Sequence, residues 1–233
     1  MNLFYSEKIT EPITTLSEEE SKHIVRVLRK TLGDTVYFTD GKGFNYMCSI
    51  IDANPKKCVI EIIEKKVGDD KRDYLLHIGI APTKNIGRFE WFLEKVTEIG
   101  IHKITPIICE HSERKDIKPE RLNKVITSAM KQSLKSYIPT LFDKVKFKEL
   151  VTTPFDGDKY IAYIDKDVTL ELSKAYQPGN NTLILIGPEG DFSPEEVDYA
   201  KENGFVPVKL GPSRLRTETA GIVACHTISL ANL

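Results

Sequence analysis

IGPEGDFS, Ile186–Ser193, and LGPSRLRTETAG, Leu210–Gly221, are the two stretches that decide how this chain is read. Each follows an apolar run, Thr182–Ile186 and Phe205–Leu210, so each reads as a loop leaving the end of a buried strand. One short helix and one strand separate them. Ligands of open α/β sheets sit at such strand ends. Neither GxGxxG nor GxxxxGK[ST] occurs, and a rigid Gly-Pro stands where a nucleotide fingerprint needs flexible glycine, which disfavours a dinucleotide or ATP site. Gly187 and Gly211 allow sharp turns, while Pro188 and Pro212 fix φ and remove a donor, so the loops should hold one shape. Rigid loops with free amides and carbonyls suit a flat base such as adenine. A single Gly-Pro can simply end a strand. Two of them, with RLRTET attached to the second, point to a ligand site.

Outward from these loops, strands alternate with helices, which predicts a parallel α/β domain. LLHIGIA precedes a helix over RFEWFLEKVTEIG that ends at Gly100, with Trp91 and Phe92 on its buried face. KITPIIC is followed by a helix from about Pro119, and DKYIAYID and TLILIG are further strands. Ser193-Pro194-Glu195-Glu196 opens a helix closing near Gly204, FVPVKLG is a strand, and a last helix runs from about Thr219 to Leu233. The N-terminal part follows another pattern. Ser17 with Glu20 forms a capping box for a helix reaching about Lys30, with Ile24, Val27 and Leu28 on its apolar face. A meander of short strands with tight turns then runs from Thr35 to Val67, a small β-barrel or sheet. The polar segment VGDDKRD, Val67–Asp73, marks the boundary, giving domains 1–70 and 71–233.

The 233 residues, 40% of them hydrophobic, are enough for a sizeable core in one large domain or two unequal ones. The 33 Lys and Arg nearly balance the 34 Asp and Glu, so bulk attraction to nucleic acid is excluded while a local basic surface is not. Cys48, Cys58, Cys109 and Cys225 include no CxxC pair and read as reduced core residues, and with the histidines they supply no close ligand pairs for a metal. His77 and His102 lie in or beside apolar strands and read as structural. No signal peptide or membrane span is visible, which predicts a cytoplasmic protein. The charged run Glu110–Arg121 is either a solvated loop or a substrate-facing basic loop.

HIVRVLR (His23–Arg29), TEIG (Thr97–Gly100), Gln132-Ser133 before Pro139, IGPEGDF and LGPSRLRTETA stand in an order and spacing that closely resembles the RsmE family. These are SPOUT-class methyltransferases acting on N3 of a uridine in small-subunit (16S) ribosomal RNA, and the match spans nearly the whole chain. The resemblance implies a PUA-like β-barrel ahead of an α/β domain with a C-terminal trefoil knot. It also implies a homodimer, S-adenosylmethionine as cofactor and a role in ribosomal RNA processing. Knots are exceptions to the rule that chains do not thread loops, so this element comes from the resemblance alone. The family commonly has glycine where this chain has Asp191, departs around Ser213-Arg214, and has an arginine near Lys135.

On that resemblance, Leu185, Ile186, Gly187, Glu189, Gly190, Leu210, Gly211, Leu215, Arg216, Thr217 and Ala220 are expected around the cofactor. Uridine N3 carries a proton, so Arg216 is expected to stabilise negative charge on the uracil, with Glu218 orienting it or accepting the proton. Glu218 and Thr219 have the alternative of merely capping the last helix. Lys22, His23, Arg26 and Arg29 form a candidate phosphate-contacting face, continued by Lys84, Arg88 and Arg114. Two other readings stay open: a related knotted methyltransferase acting on transfer RNA, and a non-catalytic RNA-binding assembly factor.

Overall fold

The computed structural model describes residues 2–9 and 12–233; Met1, Thr10 and Glu11, within the span 1–70, lie outside the described residues. The chain divides into two compact units, Met1–Lys71 with Thr127–Ile138, and Arg72–Ile126 with Pro139–Leu233.

In the first unit, β1 (Leu3–Tyr5), β2 (Ile13–Thr15), β3 (Thr35–Thr39), β4 (Phe44–Asp52) and β5 (Val59–Val67) form a five-stranded sheet in the order β1-β3-β4-β5-β2. The β3-β4-β5 meander is antiparallel, as the sequence predicts. The short strands β1, parallel to β3, and β2, antiparallel to β5, carry too few residues for a readable period. Phe4, Ile24, Phe38, Ile50 and Ile60 are at most 2% exposed in its core. Burying each such side chain contributes about 1.5–3 kcal/mol. Thr127–Ile138 joins this unit through backbone polar groups. Ser136 accepts at its carbonyl from Gly43 N and Thr39 Oγ1, and its own amide donates to Asp70.

The capped helix is shorter than expected. Ser17 Oγ accepts from Glu20 N at 3.2 Å and opens α1 (Glu18–Lys22), but the chain then widens into a π-turn over His23–Val27. Arg29 follows at φ 54°, a left-handed residue that cannot continue a helix to Lys30.

The second unit contains β6 (Leu76–Ile80), α2 (Ile86–Ile99), β7 (Lys103–Ile108), the start of α3 (Pro119–Gln132), β8 (Thr140–Leu141), β9 (Val145–Lys146), α4 (Phe147–Thr152) and β10 (Asp158–Ala162). It continues through α5 (Leu172–Ala175), β11 (Thr182–Ile186), α6 (Pro194–Glu202), β12 (Val206–Val208) and α7 (Thr217–Ala231). The sheet runs β12-β10-β11-β6-β7-β8, with β9 also on β7, and every pairing is parallel. All five residues of β6 and of β11 are buried, as expected of central parallel strands covered on both faces.

Helix α2 starts at the Asn85 cap, whose side chain accepts from Gly87 N, and stops at Gly100 with φ 111°. The Arg72 guanidinium donates to the carbonyls of Ile99 and Gly100, satisfying the helix end and complementing its dipole. Trp91 is a correction: it is 45% exposed, whereas Phe89, Phe92, Leu93 and Val96 are fully buried. Neighbours in a helix diverge by about 100°, so Trp91 cannot share the face of Phe92 and Phe89. Helix α7 begins at Thr217, two residues before the expected start. Its Gly221 lets it lie close to α2 and β6, because a Cβ there would sit 2.5 Å from Phe92 Cε2 and 3.0 Å from Ile80 Cδ1.

Candidate functional site

Strand order reverses at β10: the chain passes from β10 to β11 on one side and then to β12 on the other. Such a reversal opens a crevice beyond the carboxyl ends of the strands, where ligands of open α/β sheets bind. A cleft of about 640 Å³ lies there, walled by the three segments leaving these strands: Ala162–Lys166, the Ile186–Asp191 loop and Val208–Thr217, with Ala220 of α7 behind.

The Ile186–Ser193 loop is fastened by its own acids. Glu189 Oε1 accepts from Lys84 N at 2.9 Å. Glu196 accepts from Glu110 N with one oxygen at 2.9 Å and from Ser193 N with the other at 3.0 Å, completing the capping box of α6. His111 Nδ1 lies 3.0 Å from the Asp191 carbonyl, and Arg114 donates to the carbonyls of Thr83 and Lys84. Backbone groups around the loop are therefore held before any ligand arrives, which lowers the ordering cost of binding. Gly211 has φ 124°, as its turn requires. Gly187 is outside the positive-φ region; its missing Cβ instead makes room for the Phe192 ring, which would stand 3.1 Å away. The left-handed position of this loop is Asp191, at φ 63°.

On the opposite lip, Arg214 and Arg216 are exposed and Arg216 is the N-cap residue of α7, its carbonyl accepting from Ala220 N. Thr217 and Glu218 behind it are 4% exposed, and Thr217 Oγ1 and Glu218 Oε2 are buried without a hydrogen-bond partner, as is Glu189 Oε2. Burial raises the pKa of Asp191 above the usual aspartate value. It also drives the Cys109 thiol up and the His77 imidazole down to about 4, so both are held neutral.

Comparisons with known proteins agree with this architecture. Residues 70–229 match the model of an RNA methyltransferase domain and residues 16–63 that of an RNA methyltransferase PUA domain. Ribosomal RNA small subunit methyltransferase E of Bacillus subtilis is 30% identical over 94% of this chain and 90% of its own length. The chain belongs to the ribosomal RNA small subunit methyltransferase E family. A solved structure from Porphyromonas gingivalis, described as a "probable rRNA-methyltransferase", is 42% identical with TM-score 0.92, covering 100% of this chain and 98% of that one. A chain from Legionella pneumophila, solved with bound cofactor SAM, is 27% identical with TM-score 0.88, covering 99% and 97%.

Of the residues that the family resemblance places around the cofactor, Ile186, Gly187, Glu189, Leu210, Gly211, Leu215, Arg216, Thr217 and Ala220 all line the cleft. Leu185 and Gly190 are outside that lining. Leu185 is fully buried in the core beneath the loop, and Gly190 packs against His111, with its Cβ position 3.0 Å from that of the histidine. Glu218 also lies outside the lining; its Oε1 is 3.9 Å from Arg88 Nε on α2. The sequence reading missed the third wall, Tyr163–Lys166. Its signal was the polar break after DKYIA, at the end of a strand parallel to β11.

The family's candidate RNA-contacting cations divide by unit. Lys22, His23 and Arg26 are exposed on the short helical segment of the first unit, and Arg29 is exposed just beyond its end. Lys22 pairs with Glu18, and the His23 ring meets Phe4 edge-on at 5.5 Å. In the second unit, Lys84 pairs with Glu113, Arg114 holds the Thr83 and Lys84 carbonyls, and Arg88 faces Glu218. His77 bonds Thr105 and His102 accepts from Leu76 N, as structural histidines do.

Proposed function

We propose that this chain transfers the methyl group of S-adenosylmethionine to N3 of a uridine in small-subunit (16S) ribosomal RNA. The observation that carries the reading is the cleft of about 640 Å³ at the switch point, within the size range of small-molecule sites. Its walls fit a polar nucleoside cofactor: the loops are fixed, the apolar surface of Ile186, Leu210 and Leu215 excludes water, and Thr217 Oγ1 and Glu189 Oε2 are left without partners. Membership of the family and the SAM bound to the Legionella relative support the same assignment.

Bound in the cleft, S-adenosylmethionine supplies an electrophilic methyl group. The chain's own task is to hold the attacking base in line with it, so positioning dominates. Arg216, whose guanidinium is exposed on the lip, stabilises negative charge on the uracil oxygens as N3 releases its proton to solvent. Glu218, outside the cleft lining with Oε1 3.9 Å from Arg88 Nε, acts from behind as a positioning residue rather than as the proton acceptor.

Residues 1–70 serve as the PUA-like RNA-binding part, with Lys22, His23, Arg26 and Arg29 on phosphates, and 71–233 as the methyltransferase part. A trefoil knot is supported by the path from edge strand β12 back, as α7, to the central strands β6 and β11. A homodimer is supported by the exposed apolar Trp91 and Leu230 on the packed helices α2 and α7. Action on ribosomal RNA supports a cytoplasmic location. Labelled S-adenosylmethionine incubated with small subunits lacking the modification tests the reading. Saturable incorporation into RNA is expected, and none despite cofactor binding would overturn the substrate assignment.

A further inference from the structure

Three carboxylates line the cleft, Asp165, Glu189 and Asp191, and their surroundings differ. Glu189 accepts from the Lys84 amide through one oxygen, leaves the other buried without a hydrogen-bond partner, and already has the Lys84 ammonium acting on it through space. Asp165 accepts from Asp167 N at 2.9 Å, inside its own turn. Asp191 is held at every backbone group. Its amide donates to the Pro188 carbonyl at 2.9 Å, its carbonyl faces His111 Nδ1 at 3.0 Å, and its Oδ1 accepts from Phe192 N at 2.9 Å. It does so at φ 63°, where glycine is the unstrained choice and a side chain is an added cost.

We propose that Asp191 is the counter-charge for the cationic methionine end of S-adenosylmethionine, and so determines which adenine nucleosides the cleft accepts. The inference rests on the assignment of this cleft to that cofactor. Burial outweighs the amide hydrogen bonds from Phe192 and Ile164 and the through-space pull of Arg214 and His111, so the carboxylate's charge is incompletely compensated. A cation entering the cleft makes good that deficit. S-adenosylmethionine carries two, the sulfonium and the α-ammonium, against one negative charge on its α-carboxylate, so its methionine end is net positive beside a neutral adenosine. 5′-Methylthioadenosine keeps the adenosine and the sulfur but has neither charge.

The test is isothermal titration calorimetry of the full chain with both ligands, comparing wild type with Asp191→Asn and Asp191→Gly. Asparagine keeps the shape, the tolerance of positive φ and an acceptor for the Phe192 amide; glycine removes the side chain and the backbone strain together. Loss of one partly desolvated ion pair is expected to weaken S-adenosylmethionine binding about tenfold in both variants. 5′-Methylthioadenosine should change by less than about twofold, since its adenosine contacts are untouched. Equal weakening of the two ligands would reduce Asp191 to a loop-shaping residue and overturn the proposal, as would unchanged affinity for both. A wild-type protein that bound neither ligand would instead sink the cofactor assignment itself.

Discussion

Replacing Gly221 by alanine tests whether the close approach of α7 to α2 and β6 positions the back wall of the cleft. The new Cβ would lie 2.5 and 2.8 Å from Phe92 Cε2 and Cδ2, and 3.0 Å from Ile80 Cδ1. Phe92 and Ile80 are both fully buried and Phe92 packs against Phe89 with ring centroids 5.8 Å apart, so the ring has no free space to enter. Overpacking of this kind costs about 1–3 kcal/mol. Alanine recovers up to about 1 kcal/mol of helix propensity, because Gly221 lies inside α7. At the middle of these ranges the net destabilisation is about 1–2 kcal/mol, a drop of roughly 2–8 °C in melting temperature for a chain of this size. Ala220 and Thr217, on the same first turns of α7, line the cleft, so cofactor affinity should fall with the melting temperature. Thermal unfolding followed by circular dichroism, with calorimetric cofactor binding, reads both. The double variant Gly221→Ala with Phe92→Leu should recover part of the loss, a coupling that contact residues show. A melting temperature equal to or above wild type in Gly221→Ala alone would refute the argument.

Three further outcomes are expected. Arg216→Ala should lower turnover about 10²–10³-fold, the usual cost of removing a charge-stabilising donor, with calorimetric cofactor affinity little changed; a normal rate would exclude Arg216 from catalysis. Charge reversal at Arg26 and Arg29 should weaken binding to small-subunit RNA and flatten its dependence on salt, measured by filter binding across a salt series. The pH dependence of stability follows from His77, whose folded pKa of about 4 lies below the unfolded value of 6.5. Its contribution is fully present above pH 6.5 and is lost as pH falls toward 4, because only the unfolded chain takes up the proton in that window. The loss is on the order of 3 kcal/mol at most. Urea titrations between pH 7 and pH 4.5 should show it, and His77→Gln should be less pH-sensitive.

Much of the second unit was legible because its signals are local. Buried runs such as TLILI, the Ser193–Glu196 box and the terminating Gly100 each act within a few residues, and the structure places them as the sequence indicates. Both Gly-Pro loops stood out for the same reason. What escaped depends on contacts distant in sequence. Tyr163–Lys166 joins the cleft only because β10 pairs between β11 and β12. Thr127–Ile138 packs with the first unit through Ser136, whose partners Thr39, Gly43 and Asp70 lie far upstream. The π-turn at His23–Val27 and the positive φ of Asp191 are backbone choices that no residue pattern announces. Glu218 shows the limit most clearly. The resemblance set it beside Arg216, orienting it or taking the proton, and only the fold brings its Oε1 to 3.9 Å from Arg88 Nε, outside the cleft lining.

The chemistry itself is tested most directly by identifying the product. Small ribosomal subunits lacking the modification are incubated with the protein and isotopically labelled S-adenosylmethionine, and their RNA is digested to nucleosides for mass spectrometry. The account predicts label in 3-methyluridine. Label in 5-methyluridine, in a ribose methyl group or in no nucleoside would contradict it.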